Sequence, residues 1–198
     1  MNHFGKSLFA SLIASIICIN VSFSQALSPA AMKVKTAYVQ LKIYPGSKPK
    51  QLAYLNAFPQ NKQQFVEIFN APNNGQLTSN SQGFIATFVD MAKNYPTEVI
   101  DKSVNIGKDL THEADAIGQL QHAIVDLGNH YTKLFAKKVN SLSDKESDNL
   151  VKFLADAENH SGYTQYQQLT EELSKIGEVK LSNKFVQAKD QREKSNGH

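Results

Sequence analysis

The feature that most restricts this chain is a periodic run of apolar residues in its second half. Ile117, Leu120, Ile124, Leu127, Tyr131 and Leu134 recur at alternating steps of three and four. On an α-helix that spacing lines the side chains along one side, whereas a strand would divide them between two faces. The stretch from Thr111 to Asn140 is therefore predicted as one long helix whose stripe faces a bundle core. Beside the stripe run mostly small residues, Ala114, Gly118, Gly128, Thr132 and Ala136, which would let a neighbouring helix approach closely. All six prolines precede residue 97, so nothing interrupts this half. Ser143-Asp144-Lys145-Glu146 is a capping box for a helix carrying Leu150, Val151, Phe153 and Leu154. Asn159 to Gly162 ends that helix, and a further one holding Tyr166, Leu169, Leu173 and Ile176 stops at Gly177.

The prolines divide the first half into shorter pieces. Ser28-Pro29 reads as an N-cap and first helical residue, and Pro45-Gly46 closes that helix. Ala30, Val34, Ala37 and Leu41 follow helical spacing, but Val39, Leu41 and Ile43 also alternate as a strand would. Further helices are predicted from Ser47, burying Leu52 and Leu55, and from Asn61 to Phe69, with Phe65, Ile68 and Phe69 inward. Two more run from Ser81 to Asn94 and from Thr97 to Gly107, separated by Tyr95-Pro96. The fold class is all-α: a single-domain bundle of about seven or eight helices with one long central helix, spanning residues 25–186. Residues 187–198 are polar and expected to form a disordered tail.

Ahead of the bundle, residues 1–24 read as a signal peptide. Lys6 ends a short n-region, an apolar stretch runs from Leu8 to Val21, and Ser22 and Ser24 occupy the −3 and −1 positions. Cleavage after Ser24 leaves Gln25 as the mature N-terminus and an exported protein, periplasmic or secreted, without a membrane span. A retained anchor is the rival reading, but 14 apolar residues fall short of the roughly 17–25 a spanning helix needs. A lipidated Cys18 is rejected, because Ile17 stands where a lipoprotein signal requires a small residue. Cleavage also removes the only cysteine, so the mature chain of 174 residues has neither disulfide nor catalytic thiol.

One lysine lost from 21 basic residues, against 18 acidic ones, leaves a mature net charge of +2 that is unevenly spread. Lys33, Lys35, Lys42, Lys48, Lys50 and Lys62 all precede the first acid, Glu67. A solvated face is the plain reading; contact with a membrane surface or an acidic partner is the functional one. Arg192 is the only arginine, which argues against nucleic-acid binding, since arginine forks usually grip phosphate and read guanine.

His122, Asp126 and His130, at i, i+4 and i+8, are the best metal-ligand candidates: two imidazoles and a carboxylate suit a first-row ion. The helical wheel places His122 and Asp126 opposite Leu120 and Ile124, toward solvent, and His130 about 80° round from His122. No metal is therefore expected there. His112-Glu113-Ala114-Asp115-Ala116 lacks the second histidine of a zinc-protease motif, and no Glu-x-x-His exists for a di-iron site. G-x-S-x-G, P-loop and dinucleotide patterns are absent, so no cofactor is expected. Asp156, Glu158 and His160, followed by Tyr163, form a polar helix end that would line a binding pocket. Tyr54, Phe58, Phe65, Phe69, Phe84 and Phe88 read first as core, and otherwise as the lining of an apolar-ligand cavity.

Three stretches carry a resemblance: Leu55–Pro59 with Phe65 and Ile68-Phe69; Tyr95-Pro96 through Ile106-Gly107 to Ala114–Gln121; and Ala155–His160. They resemble small exported all-helical proteins of Bacteroidota with no assigned activity. The resemblance implies export and helicity and transfers no catalytic residue. The resulting expectation is a non-enzymatic module that binds a protein or envelope partner through a groove or exposed apolar patch in the lysine-rich third. The alternatives are a metal-binding protein or metal-dependent enzyme using His122, Asp126 and His130, and a carrier of an apolar small molecule.

Overall fold

The computed structural model describes residues 26–69, 76–111, 116–156 and 164–196 (backbone only for 195 and 196), and these residues form helices joined by turns and short loops, without a strand. Ten α-helices follow in order: α1 (Pro29–Ile43), α2 (Lys48–Ala57), α3 (Lys62–Phe69), α4 (Ser81–Asp90), α5 (Pro96–Gly107), α6 (Ala116–His130), α7 (Thr132–Asn140), α8 (Asp144–Ala155), α9 (Gln165–Lys175) and α10 (Val179–Asn196). The region read as a signal peptide lies outside the described residues.

Several boundaries sit where local chemistry places them. The Ser28 hydroxyl accepts from the Ala31 amide at 3.2 Å, ahead of Pro29. Asn61 accepts from the Gln64 amide at 3.0 Å, while the Gln64 side chain reaches back to the Gln60 amide at 2.9 Å. At α8 the Ser143–Glu146 box closes in both directions. Gly177 ends α9 with a φ of 87°, and the Glu178 amide turns back to the Leu173 carbonyl at 2.9 Å, a left-handed exit that glycine makes without strain.

Glu146 also receives the Lys108 ammonium from the end of α5. That hydrogen bond, then those from the Ser143 side chain and amide, hold its carboxyl down at about 2, against an ordinary 4.5. A depressed folded-state pKa adds stability above the unfolded value, and this is lost as pH falls through the folded one. Glu146→Gln should therefore flatten the fall in melting temperature between pH 4.5 and 2. Ser143→Ala should cost about 0.5–2 kcal/mol near neutral pH, read by urea unfolding.

The long central helix is corrected. The stripe from Ile117 to Leu134 is continuous in sequence, but the backbone breaks at Tyr131, with φ −129° and ψ 44°, into α6 and α7. Asn129 donates to the Gln165 carbonyl at the start of α9 at 2.9 Å. The Tyr131 phenol donates to the Ala92 carbonyl at 3.0 Å, and the Thr132 hydroxyl to the Asn129 carbonyl at 3.1 Å. Two adjacent turns are thus tied to different neighbours, and a side-chain hydrogen bond back to the helix carbonyls eases the bend. Among the described residues, ten α-helices replace the expected seven or eight, partly for this reason. The polar run after Val186, expected to be a disordered tail, continues α10 to Asn196.

α6 is the hub: α4, α5, α7, α8 and α9 all pack on it, while α10 closes over α8 and α9. One apolar cluster takes side chains from every helix, from Ala31 to Ala188. α1 is at the periphery and packs chiefly on α2.

Candidate functional site

The polar flank of α6 does not face open solvent. α4 lies beside it, so His122 and Asp126 are half-buried along a shallow cleft of about 380 Å³ that they share with Gln82, Ile85, Val89 and Asp90. Burial raises the Asp126 carboxyl above its ordinary value, and His122 and His130 pull it partly back. His130 is exposed, with its Nδ1 2.8 Å from the Asp126 backbone carbonyl. His122, Asp126 and His130 do not converge: among the described residues no group of three or more His, Cys, Asp or Glu is arranged to hold a metal ion.

The wheel misjudged this flank because it knows only the helix itself: Gln119 accepts from the Ser81 hydroxyl at 3.0 Å at the start of α4. Nearer the core stripe, Gln121, fully buried, donates to the Phe153 carbonyl of α8. These are packing contacts. No periodicity distinguishes such a glutamine from a solvated one.

Of the second candidate set, Glu158, His160 and Tyr163 lie outside the described residues. Asp156 is described, as the residue capping the C-terminus of α8. Its Oδ1 is 2.9 Å from Nε of Arg192, so the chain's only arginine joins α10 to the end of α8. A carboxylate at a helix C-terminus opposes the macrodipole, and the guanidinium offsets it.

The aromatic cluster is solid core. Phe58 stacks on Phe88 with centroids 3.9 Å apart and planes 1° from parallel, and Phe69 and Tyr54 close around Phe58 at 5.8 and 6.2 Å. The Tyr54 phenol is buried and donates to the Phe84 carbonyl at 2.7 Å; burial pushes its pKa far up. A larger cleft than the one beside α6, about 750 Å³, is lined by Asn61, Lys62, Gln63, Val66, Glu67, Gln76 and Asp109.

The feature that stands apart is the outer side of α1. Ala31, Val34 and Leu41 are buried, yet Met32, Val39 and Ile43 are exposed, with Tyr44 just beyond the helix and Leu52 one turn into α2; these five are 42–56% exposed. Successive helical residues turn by 100°, so Met32, Val39 and Ile43 fall within about 40° of one another and roughly opposite Leu41. They make a stripe about 16 Å long. Helices apolar on both sides are normally covered on both. The strand-like alternation of Val39, Leu41 and Ile43 has the same origin: Leu41 faces the core while its neighbours two residues away face out. Leu52, expected inside, is exposed on α2, and Gln51 takes the inward place, donating to the Pro45 carbonyl at 2.8 Å.

Along α1 and α2 the charge has one sign. Lys33, Lys35, Lys42 and Lys48 are exposed, and no acid precedes Glu67. Lys42 lies over the Tyr38 ring at 5.3 Å. Lys102 of α5, donating to the Phe58 carbonyl at 2.8 Å, is lowered to about 8 by burial and then by Lys33.

No family model matches this chain, and no curated protein or solved structure is significantly similar to it. Among the described residues, no helix is long and apolar enough to cross a membrane.

Proposed function

We propose that this chain is an exported, non-enzymatic helical module that docks on a component of the cell envelope through the outer face of α1 and the start of α2. The observation that carries this reading is the exposed stripe Met32–Val39–Ile43, with Tyr44 and Leu52, set among lysines. Export is supported by the apolar Leu8–Val21 segment with small residues at Ser22 and Ser24. A compact apolar patch rimmed by charge is the usual mark of a docking surface, whereas scattered exposed apolar residues carry no such meaning.

The test is whether the face is covered in the cell. Since Cys18 is the only cysteine, a thiol at Val39→Cys or Lys145→Cys is unique once residues 1–24 are removed. Lys145 is exposed on α8 and serves as control. Intact mass should show the chain starting at Gln25. A water-soluble maleimide should label position 39 much more slowly in intact envelopes than in purified protein, and position 145 equally in both. Equal labelling at both positions would sink the docking reading.

A further inference from the structure

The outer face of α1 has a composition that favours one kind of partner. We infer that it binds an anionic lipid surface, with Met32, Val39 and Ile43 entering the interface and the surrounding lysines meeting the headgroups. This inference rests on the docking reading above and goes beyond it by naming the chemistry of what is docked upon.

Three observations point the same way. The first is charge. The α1–α2 segment presents Lys33, Lys35, Lys42, Lys48 and Lys50 and has no acid, so the complementary surface is negative. Lysine without arginine suits a diffuse field of headgroups, whereas a defined carboxylate or phosphate pocket favours arginine's planar fork. The second is shape. The apolar residues form the crest of one peripheral helix, not a groove: Met32, Val39 and Ile43 lie on the side away from Val34 and Leu41, which pack inward. Lys35 and Lys42 follow along one edge, and Lys33 lies on the other side of the helix. An amphipathic helix lying in an interface plane has this arrangement, its apolar side in the acyl boundary and its lysines beside it. The third is Tyr44, exposed at the end of the stripe. An amphipathic ring there sits favourably at headgroup level.

A second copy of the chain is the poorer occupant. Two such faces packed together would bring lysine against lysine with no acid in α1 or α2 to compensate.

The experiment is co-sedimentation of the full chain, as purified from cells, with vesicles of phosphatidylcholine alone or mixed with phosphatidylglycerol. Two variants are compared with the parent: Met32→Ser/Val39→Ser/Ile43→Ser, and Lys35→Gln/Lys42→Gln. All the changed residues are exposed, and far-ultraviolet circular dichroism confirms that each variant keeps its helicity. The parent should bind the mixed vesicles and leave the neutral ones. Binding should fall about tenfold or more in the lysine variant and should weaken with added salt. The serine variant should lose at least about tenfold.

Three outcomes overturn the inference. One is the absence of binding to anionic vesicles. Another is equal binding to both vesicle types that neither variant changes, which would assign lipid affinity to Leu8–Val21. The third is a parent that light scattering shows to be dimeric, with a monomeric serine variant and no vesicle binding, which would make the face a self-interface. The thiol at position 39 separates the two readings. If it is protected in envelopes while vesicles do not bind, docking stands on a different partner. If it is unprotected, both readings fall.

Discussion

Phe58→Ala should lower the free energy of unfolding by about 3–5 kcal/mol, a large share of the roughly 5–15 kcal/mol that holds a domain of this kind folded. Phe58 caps the C-terminus of α2 and is almost wholly buried against Phe88 of α4, with Phe69 of α3 and Tyr54 of α2 around it. Three short helices converge on this ring. None buries enough apolar surface to persist alone, since helices of fewer than about 12 residues are marginal in water. Removing the ring leaves a cavity that the fixed neighbours fill only partly, so the cost combines lost transfer energy with lost contacts. Urea unfolding measures it. A double-mutant cycle with Phe88→Ala should then return a coupling of about 0.5–1.5 kcal/mol for the stacked pair. A loss below about 1 kcal/mol for the single change would mean that the rings do not pack as described.

The second large effect is expected at a glycine. Gly107 ends α5 where α6 and α8 meet it: a Cβ there would stand 2.8 Å from Cδ1 of Ile124 and 2.9 Å from Cδ1 of Leu150, both fully buried. Alanine gains up to about 1 kcal/mol in helix propensity, which offsets much of the displacement of two flexible side-chain ends. Valine adds two further carbons with no space to enter, and Gly107→Val should cost about 1–3 kcal/mol or more. Gly118 is the control. A Cβ there meets nothing within 4 Å, so Gly118→Ala should be neutral to stabilising by about 0.5 kcal/mol. Thermal unfolding of both variants separates a tight glycine from an idle one. If Gly107→Val unfolds like the parent, the three-helix junction is looser than these distances require.

Gly118 and Gly128, both on α6, look alike in sequence, as members of one stripe of small residues. The structure divides them: a Cβ on Gly128 would meet Leu169 at 2.9 and 3.0 Å, so only that glycine admits a neighbouring helix closely. The candidate site was legible to a similar extent. The lysine-rich, acid-free segment could be read directly, and an exposed apolar patch was expected within it. Its residues were not identified, because a helix apolar on two sides resembles an alternating strand when read along the chain. Val39 and Ile43 became part of a surface only once Leu41 was seen to face inward. His122 and Asp126 show the converse, since residues placed toward solvent on an isolated helix proved half-buried beside α4.

By itself, the sequence determined whatever depends on neighbours within a few residues. Helicity followed from spacing, the start of α8 from Ser143 and Glu146, the end of α9 from Gly177, and the inward set of α6 from Ile117, Leu120, Ile124 and Leu127. Capping, φ preferences and periodicity act over a turn or two and are written in local order. Only the tertiary structure decided the rest. Tyr131 breaks the long stripe where Asn129 is held by α9 and the Tyr131 phenol by the Ala92 carbonyl, 39 residues away. Arg192 meets Asp156, Gln121 meets Phe153, and α10 keeps its polar end helical to Asn196. Met32, Val39 and Ile43 of α1 stay exposed while Ala31, Val34 and Leu41 are buried. Contacts at such separations depend on how helices assemble around α6, and no local rule specifies which faces that assembly leaves open.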